Sequence, residues 1–397
     1  MIFRNIFVSL VKMKTIHRTY KFRLKPNSEQ RTLLAKHFGC ARFVYNHFLA
    51  ERQEEYKNTG KSSNYYTQQA RLTELKKGER EWLKEVNSQT LQVALKNMDT
   101  AYQNFFKLHR GFPNFKSKKS KNSFSVPQNC SVDEYKIYIP KFREGIAYFK
   151  DRKVKGVVKS MTISLTPSGK YFVSILTEQQ YEPMAKTNKV AGIDLGLKDF
   201  VITSDGEKYK NNRVLNKYQN KLATAQKHLS RKQKGSNNFE KQRVKVARLY
   251  EKVSNTRTDY LHKVSLDLVR NYDVICLEDL NIKGMMKNHR LARQIGDVAW
   301  GEFVGMLTYK AELNDKKIVK IDRFYPSSKT CHNCGYVKKD LKLSDRKWVC
   351  PDCGAVLDRD VNAAMNILSA GLADYTCGDS VKPAMVGVCE ARTPLFQ

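Results

Sequence analysis

The chain has 397 residues, and at about 150 residues per domain this length predicts two or three domains. Hydrophobic residues make up 41% of it, which is enough for folded cores and excludes global disorder. Lys and Arg number 72 against 39 Asp and Glu, and the net charge of +33 predicts a polyanionic partner such as nucleic acid. No stretch approaches the roughly 18 apolar residues of a membrane span. The apolar run at 6–11 is too short for a signal-peptide core, so we expect an intracellular protein.

The N-terminal segment combines one strand with a helix. Residues 17–24 alternate in polarity, which predicts a strand that ends before Pro26. Asn27 can cap the next helix, with Gln30 at its third helical position. Apolar residues then recur at helical spacing, and Gly60 is expected to end this helix.

A second helix and a group of short strands follow. The helix is predicted from Asn87 to just before Gly111. Between residues 123 and 177 several short runs alternate in polarity, including 136–139 and 171–175. Together with the first strand, these runs predict a small β-barrel or sandwich interrupted by a helical block.

The C-terminal half alternates strands with helices, which predicts an α/β domain. Residues 190–206 contain two apolar strands, and 211–270 form a basic helical hairpin broken once at a Gly-Ser-Asn-Asn sequence. Residues 274–280 are typical of a buried parallel strand. A further strand is predicted at 318–324 and a last helix at 361–372.

Four cysteines form the most specific motif of the chain. They are arranged as two Cys-x-x-Cys pairs separated by fifteen residues, with a glycine after each pair. This spacing is typical of a tetrahedral zinc site, and four unrelated free cysteines are the minor alternative. The predicted ligands are Cys331, Cys334, Cys350 and Cys353. The remaining cysteines are expected to be small buried hydrophobic residues: Cys40, Cys130, Cys276, Cys377 and Cys389.

Acidic residues stand at the ends of apolar segments in the same half. Asp194 ends one strand, Glu278 and Asp279 end another, and Asp358 and Asp360 flank the start of the last helix. A buried carboxylate is costly unless it is paired or binds a cation. Three of them from separate elements would suit Mg²⁺, and two such ions can activate water at a phosphodiester. The alternative is that each acid caps a helix, occupies a turn or pairs with a Lys or Arg.

Asp194 lies in the sequence GIDLG, which also occurs at the first phosphate loop of actin-like ATPases. Those proteins need a second, glycine-rich phosphate loop. This chain contains no Gly-Gly pair and no GxxxxGK[ST] motif, which excludes the ATPase hypothesis.

Two basic stretches lack acidic residues altogether. Residues 101–132 contain six Lys or Arg with interleaved phenylalanines, and residues 208–239 contain nine. Such stretches favour phosphate contact over a merely solvated surface. The candidate contacts are Lys107, Arg110, Lys116, Lys118, Lys119, Lys121, Lys217, Lys221, Arg231 and Lys232.

The order of these motifs resembles the TnpB family, the RNA-guided DNA endonucleases of insertion sequences that are relatives of the type V CRISPR effectors. The resemblance covers most of residues 17–370 and is most specific in the C-terminal half. The matching segments are YKFRLKPNSEQ, FPNFKSKKSKNSF, GIDLGLKDFVITSDG, LEDLNIKGM, SSKTCHNCGY and CPDCGAVLDRDVNAAMNI.

The resemblance implies a multidomain fold of α/β and β parts. It implies an RNase H-like (RuvC) nuclease domain with an inserted zinc ribbon, and an N-terminal wedge-type β-barrel with a helical recognition insert. The expected boundaries are 13–26 and 111–186 for the barrel, 27–110 for the insert, 187–325 and 356–374 for the nuclease domain, 326–355 for the ribbon and 375–397 for a flexible tail.

The family's catalytic carboxylates match Asp194, Glu278 and Asp360. Helical spacing is compatible with Asp360, whereas Asp358 precedes the helix as a cap would, and Asp358 and Asp279 are second choices. The resemblance implies Mg²⁺, expected as two ions at these carboxylates, and one structural zinc. It also implies a guide RNA and a target double-stranded DNA as partners. The lack of a long apolar stretch predicts no membrane partner, and we expect a cytoplasmic location, with nucleoid association when the protein is bound to DNA. We expect a monomer.

Other functions remain open at this point. A guide-dependent DNA-binding repressor would not need the three intact carboxylates. A DNA strand-transferase could use a single RuvC-like acidic site, but the sequence shows no end-joining feature. A zinc-ribbon transcription factor would leave the α/β half without a role.

Overall fold

A computed structural model describes residues 13–119, 121–342 and 344–377. These residues divide into two compact units, one of 13–182 and 227–248 and one of 183–226 and 249–377. The apolar run at 6–11 and most of the predicted tail lie outside the described residues. Within the described part, no helix combines the length and apolar content that crossing a bilayer requires.

The first unit opens with the predicted strand and helical block. The Asn27 side chain accepts a hydrogen bond from the Gln30 backbone while the Gln30 side chain accepts one from the Asn27 backbone, which is the predicted capping box. Gly60, in a left-handed conformation, ends that helix as predicted. The sequence did not predict the short second helix. These elements are β1 (Lys14–Arg23), α1 (Ser28–Thr59), α2 (Tyr65–Lys77), a 3-10 turn (Glu81–Glu85) and α3 (Ser88–Leu108).

Six strands complete this unit and form two antiparallel sheets with β1. The order of the first sheet is β1-β7-β6-β2 and that of the second is β3-β4-β5. An isolated bridge between Leu24 and Tyr148 joins them. Both sheets share an apolar core with the helices, but the predicted wedge-type barrel stays a prediction. The strands are β2 (Asn122–Val126), β3 (Ser131–Val132), β4 (Lys136–Ile139), β5 (Phe142–Ala147), β6 (Val157–Leu165) and β7 (Tyr171–Tyr181).

The second unit is an α/β arrangement, as predicted. Three helices between its fourth and fifth strands were not predicted from the sequence. The elements, some of which extend across the boundary between the units, are β8 (Val190–Leu195), β9 (Asp199–Thr203), β10 (Lys208–Lys210), α4 (Val214–Ser230), α5 (Asn237–Asn271), β11 (Val274–Glu278), α6 (Ile282–Met285), α7 (His289–Val298), α8 (Trp300–Leu313), β12 (Lys317–Ile321), β13 (Lys347–Val349), β14 (Val356–Asp358) and α9 (Arg359–Cys377).

The helical hairpin predicted at 211–270 is confirmed as α4 and α5. Gly235 adopts a positive φ of 87° in the turn between the two helices. Two non-covalent contacts join the helices. Gln226 donates a hydrogen bond to the Tyr250 hydroxyl, and the Lys252 ammonium lies 5.4 Å from the centre of the Tyr218 ring.

The central sheet has helices on both faces. Its strand order is β10-β9-β8-β11-β12, and β11 runs parallel to both neighbours, as its apolar sequence predicts. Ile193 and Leu277 belong to one core with side chains of α5 and α8. Because side chains alternate along a strand, Gly192 and Cys276 face the opposite side, where α9 packs.

Candidate active site and metal centre

Two acidic residues lie at the C-terminal ends of neighbouring parallel strands. Ile193 of β8 pairs with Leu277 of β11, so the residues that follow them, Asp194 on β8 and Glu278 on β11, lie side by side. Both carboxylates follow the alternation of Gly192 and Cys276 and therefore point to the face that α9 covers. Strand register alone thus places two of the predicted acids side by side.

The third predicted acid, Asp360, lies in the first turn of α9. Asp358 caps this helix as predicted, because its Oδ1 accepts hydrogen bonds from the backbone of Asp360 (3.1 Å) and Val361 (3.2 Å). Burial, together with the negative charges of Glu278 and Asp360, raises the pKa of Asp194 to about 7. Glu278 and Asp360 are therefore close enough to Asp194 for their charges to act on it.

The acids ranked second are engaged elsewhere. Asp279 forms ion pairs with Arg323 (2.5 Å) and Lys320 (3.5 Å), and the hydrogen bond from Arg323 holds its pKa below the ordinary value. Asp358 pairs with Lys208 at 2.8 Å besides capping α9. Both acids form shorter ion pairs than Asp360, whose contact with Arg346 measures 3.4 Å, and this favours Asp194, Glu278 and Asp360 as the set available to a cation.

The raised pKa of Asp194 has a consequence for stability. Aspartate has an ordinary pKa of 3.8, so the folded protein binds more protons than the unfolded chain between about pH 4 and pH 7. The free energy of unfolding therefore falls as pH rises through that window, and the loss is complete above about pH 7. In magnesium-free buffer we expect Asp194→Asn to raise the melting temperature by several degrees at pH 8 and by less at pH 5. Thermal unfolding of both proteins at both pH values checks this, and an equal shift at the two values contradicts it.

Two glycines allow α9 to approach the sheet closely. A Cβ at Gly192 would lie 2.0 Å from the Ala364 carbonyl oxygen and 2.6 Å from the Leu368 nitrogen. About one turn further along the helix, a Cβ at Gly371 would lie 2.5 Å from the sulfur of Cys276. These two close approaches set the separation between α9 and the strands that carry Asp194 and Glu278.

The first of these contacts gives a stability prediction. Gly192→Ala places its methyl group against helix backbone, which cannot rotate away, so we expect a loss of about 1–3 kcal/mol or more. This corresponds to roughly 2–4 °C in melting temperature per kcal/mol. Gly305→Ala in α8 is the matched control, because no atom lies within 4 Å of its Cβ position and alanine favours helix. Melting temperatures of the two variants check the prediction, and a Gly192→Ala protein as stable as the control would contradict it.

The four predicted zinc ligands form a compact group. Among the described residues they are the one set whose ligand atoms all lie within 4.8 Å of one another, so the three carboxylates are more widely spaced. The sulfurs of Cys331 and Cys353 are 3.7 Å apart, and those of Cys334 and Cys350 are 3.6 Å apart. A disulfide needs about 2.05 Å, whereas tetrahedral Zn–S bonds of about 2.3 Å place the sulfurs about 3.8 Å apart. The donor set therefore suits tetrahedral zinc.

The two Cys-x-x-Cys turns share one backbone geometry. Gly335 and Gly354 have positive φ angles of 79° and 71°, and each donates its backbone N–H to the first cysteine of its pair at 2.9 Å. The glycine after each Cys-x-x-Cys pair thus allows the backbone to turn tightly behind the sulfurs. Trp348 and Leu357, from the β13–β14 hairpin, form a small apolar core with Cys331 and Cys350.

We call residues 326–355 the cysteine segment. Two buried asparagines of α9, which sequence reasoning missed, form hydrogen bonds that hold the first residues of this segment against the helix. The Asn362 side chain accepts a hydrogen bond from the His332 backbone (3.0 Å) and donates one to the Thr330 carbonyl (2.7 Å). Asn366, one turn later, donates to the carbonyls of Ser327 (2.8 Å) and Thr330 (2.6 Å). We call these contacts the asparagine latch. The sequence signal was two asparagines four residues apart among apolar helix residues, since buried amides need partners.

The cysteine segment also contacts two of the three carboxylates. The Ser327 hydroxyl donates a 2.5 Å hydrogen bond to Glu278, and the Arg346 guanidinium lies 3.4 Å from Asp360. The fold of this segment therefore influences where Glu278 and Asp360 are held.

Nine of the ten predicted phosphate contacts have exposed side chains, and they remain predictions. Lys116 differs, because its half-buried ammonium lies 3.8 Å from the centre of the Tyr45 ring and burial lowers its pKa. The exposed nine are Lys107, Arg110, Lys118, Lys119, Lys121, Lys217, Lys221, Arg231 and Lys232.

Of the other cysteines, Cys40 and Cys276 are buried as expected, whereas Cys130 is half-buried. Cys389 and the side chain of Cys377 lie outside the described part of the chain.

Three family models match parts of the chain. A family model described as "Probable transposase" (OrfB_IS605) matches residues 172–289, and one described as "Cas12f1-like, TNB domain" matches residues 300–367. A third, described as "Helix-turn-helix domain", matches residues 13–61, where the structure has β1 and the single helix α1.

Relatives match over nearly the whole chain. Two have names that begin "Putative RNA-guided DNA endonuclease". The first, from Streptomyces pristinaespiralis, is 40% identical over 94% of this chain and 93% of its own length. The second, InsQ of Escherichia coli K12, is 35% identical over 91% of this chain and 94% of its own length. A cryo-EM structure of a Cas12f1–sgRNA–target DNA complex matches with a TM-score of 0.54 and 13% identity, over 89% of this chain and 98% of that chain. This likeness shows a shared fold.

Proposed function

We propose that this chain, which belongs to the TnpB family, is an RNA-guided DNA endonuclease with a RuvC-type active site at Asp194, Glu278 and Asp360. The observation that carries the proposal is that strand register sets Asp194 of β8 beside Glu278 of β11, on the face that α9 covers with Asp360 in its first turn. The neighbouring acids Asp279 and Asp358 form short ion pairs with other residues. A nuclease needs such a carboxylate group beside the phosphodiester that it cleaves.

Asp194, Glu278 and Asp360 would hold divalent cations, and Mg²⁺ suits their oxygen-only donor set. Bound there, the metal would supply a nucleophilic water and stabilise the leaving oxygen. The raised pKa of Asp194 is consistent with this assignment, because besides burial it reflects the negative charges of Glu278 and Asp360, which a cation would neutralise. Ser327 orients Glu278 and Arg346 lies beside Asp360, so these two residues are expected to fix the positions of the carboxylates.

Cys331, Cys334, Cys350 and Cys353 would hold one structural zinc. The site offers four protein ligands and no open position, which is the arrangement of structural rather than catalytic zinc. The contribution of this centre would be to fold residues 326–355 and so to support the asparagine latch.

A guide RNA and a target duplex would balance the net charge of +33. The exposed lysines and arginines of the two acid-free stretches would contact phosphates, while base pairing with the guide would select the DNA sequence.

The decisive experiment is purification of the full chain with its bound RNA, followed by sequencing and reprogramming of that RNA. We expect one distinct RNA that survives a salt wash, and Mg²⁺-dependent plasmid cleavage that moves when the guide segment is changed. RNase-treated protein should not cut. Unguided cutting after RNase treatment would indicate a plain nuclease, guided binding without cutting would indicate a repressor, and joined DNA products would indicate a strand-transferase.

A further inference from the structure

Aromatic rings gather at the surface where α3 ends. Phe105 and Phe106 occupy its last turn, and the chain reverses at His109, whose φ of 48° is left-handed. The reversal returns Phe112 onto the helix, where its ring centre lies 5.2 Å from that of Phe105 and 5.6 Å from that of Tyr102. Phe105 and Phe106 are 5.0 Å apart. The rings thus form one continuous cluster.

The base of this cluster is fixed, whereas its outer rings face solvent. Tyr102 is buried, and the Arg52 guanidinium lies 4.9 Å from its ring centre and is itself held by Asp99 at 2.9 Å. Phe106 is 68% exposed and Phe112 is 45% exposed. Contiguous exposed apolar rings are typical of interaction sites, whereas single exposed apolar side chains are common.

Two exposed cations are close to these rings in the sequence. They are Lys107, which follows Phe106 directly, and Arg110, two residues before Phe112, and no acid occurs between residues 101 and 132. We call Phe105, Phe106, Phe112, Lys107 and Arg110 the aromatic–basic surface. A partner that suits it carries flat apolar faces and closely spaced negative charges, and unpaired nucleotides combine a stacking base with a phosphate.

We propose that the aromatic–basic surface binds an unpaired segment of RNA, with bases stacked on Phe106 and Phe112 and phosphates against Lys107 and Arg110. Taking this RNA to be the guide rests on the proposed function. RNA is favoured over the DNA target, because the base faces of a duplex are already stacked whereas RNA loops leave theirs free. Exposed Asn114, two residues after Phe112, adds an amide that can bind a 2′-hydroxyl.

The test measures binding of a labelled, unstructured 12-nucleotide RNA to the full-length protein after removal of co-purified nucleic acid. Phe106→Ala and Phe112→Ala should each weaken binding by about 5- to 150-fold, without changing the slope of log K against log salt. Phe106→Tyr should retain affinity, because its ring still stacks. Lys107→Ala should instead reduce the salt slope by about one. Tyr135→Ala is the matched control, because Tyr135 is 72% exposed on another part of the same unit and should leave RNA binding unchanged.

Duplex DNA and single-stranded DNA of the same sequence are run beside the RNA. The inference is overturned if the phenylalanine variants bind RNA like the wild type, if they weaken duplex binding equally, or if single-stranded DNA binds more tightly than RNA. The assay involves no cleavage, so it can succeed where the proposed function fails. Conversely, wild-type RNA binding by both variants, together with programmable cleavage by the parent protein, would remove only this inference.

Discussion

Replacement of Asp194, Glu278 or Asp360 by alanine is expected to lower the rate of guided DNA cleavage by about a thousandfold or more. Each substitution removes an oxygen ligand from the proposed metal site at the scissile phosphate. Affinity for guide and target should stay within a few-fold of the wild type, because it comes from many dispersed lysines and arginines. Single-turnover cleavage rates and gel-shift titrations of the same preparations measure the two effects separately.

The neighbouring acids provide matched controls for this prediction. Asp279→Asn removes a carboxylate that is paired with Arg323 and Lys320, so cleavage should persist. Asp358→Asn should also retain cleavage, because asparagine still caps a helix. Full cleavage by Asp360→Asn together with loss in Asp358→Asn would show that the wrong aspartate was assigned.

Loss of the cysteine-bound metal is expected to abolish most cleavage through structure rather than chemistry. Cys331→Ser or Cys353→Ser should lower zinc content, because both residues belong to the four-sulfur group. Without the metal, residues 326–355 lose the fold that presents Ser327 to Glu278 and Arg346 to Asp360. Metal analysis and cleavage rates on the same preparations are the measurements, and a zinc-free variant that cuts at the wild-type rate would refute the prediction.

A variant of the asparagine latch can show whether cleavage depends on bound zinc itself or on the contacts that the zinc-stabilised segment makes. Asn362→Ala should keep full zinc content but lose the contacts to His332 and Thr330, so cleavage should fall while zinc stays bound. Protein loaded with Co²⁺ instead of zinc should cut normally, because the site has four protein ligands and no open position. A large change in rate with Co²⁺ would instead assign the metal a chemical role.

The features predictable from sequence depend on short-range interactions. The Asn27–Gln30 capping box and the end of α1 at Gly60 follow from residues within one helical turn, and the structure has both. The cysteine pairs are equally local, because each turn closes within five residues through a glycine. The choice of Asp360 over Asp358 combined the family motif with helical spacing, and the capping contacts of Asp358 support that choice.

What the sequence missed depends on contacts between distant segments. The role of Gly192 is evident only once α9, more than 160 residues later, lies against it. The partners of Asn362 and Asn366 lie about thirty to forty residues earlier in the chain, beyond any local pattern. Likewise, alternating polarity predicted strands in the first unit, but their division into a four-stranded and a three-stranded sheet depends on pairing that periodicity does not encode.

The position of α9 as the last described element has a consequence for biosynthesis. While the chain emerges from the ribosome, β8, β11 and β12 can form with Asp194 and Glu278 in place, but the apolar strip that Ile367 later covers stays open to water. Asp360 is added only when this helix docks. Under the proposed function, a nascent or prematurely terminated chain therefore carries two of its three carboxylates and is inert toward DNA, so activity begins only after the RNA-binding surfaces of the first unit have been synthesised.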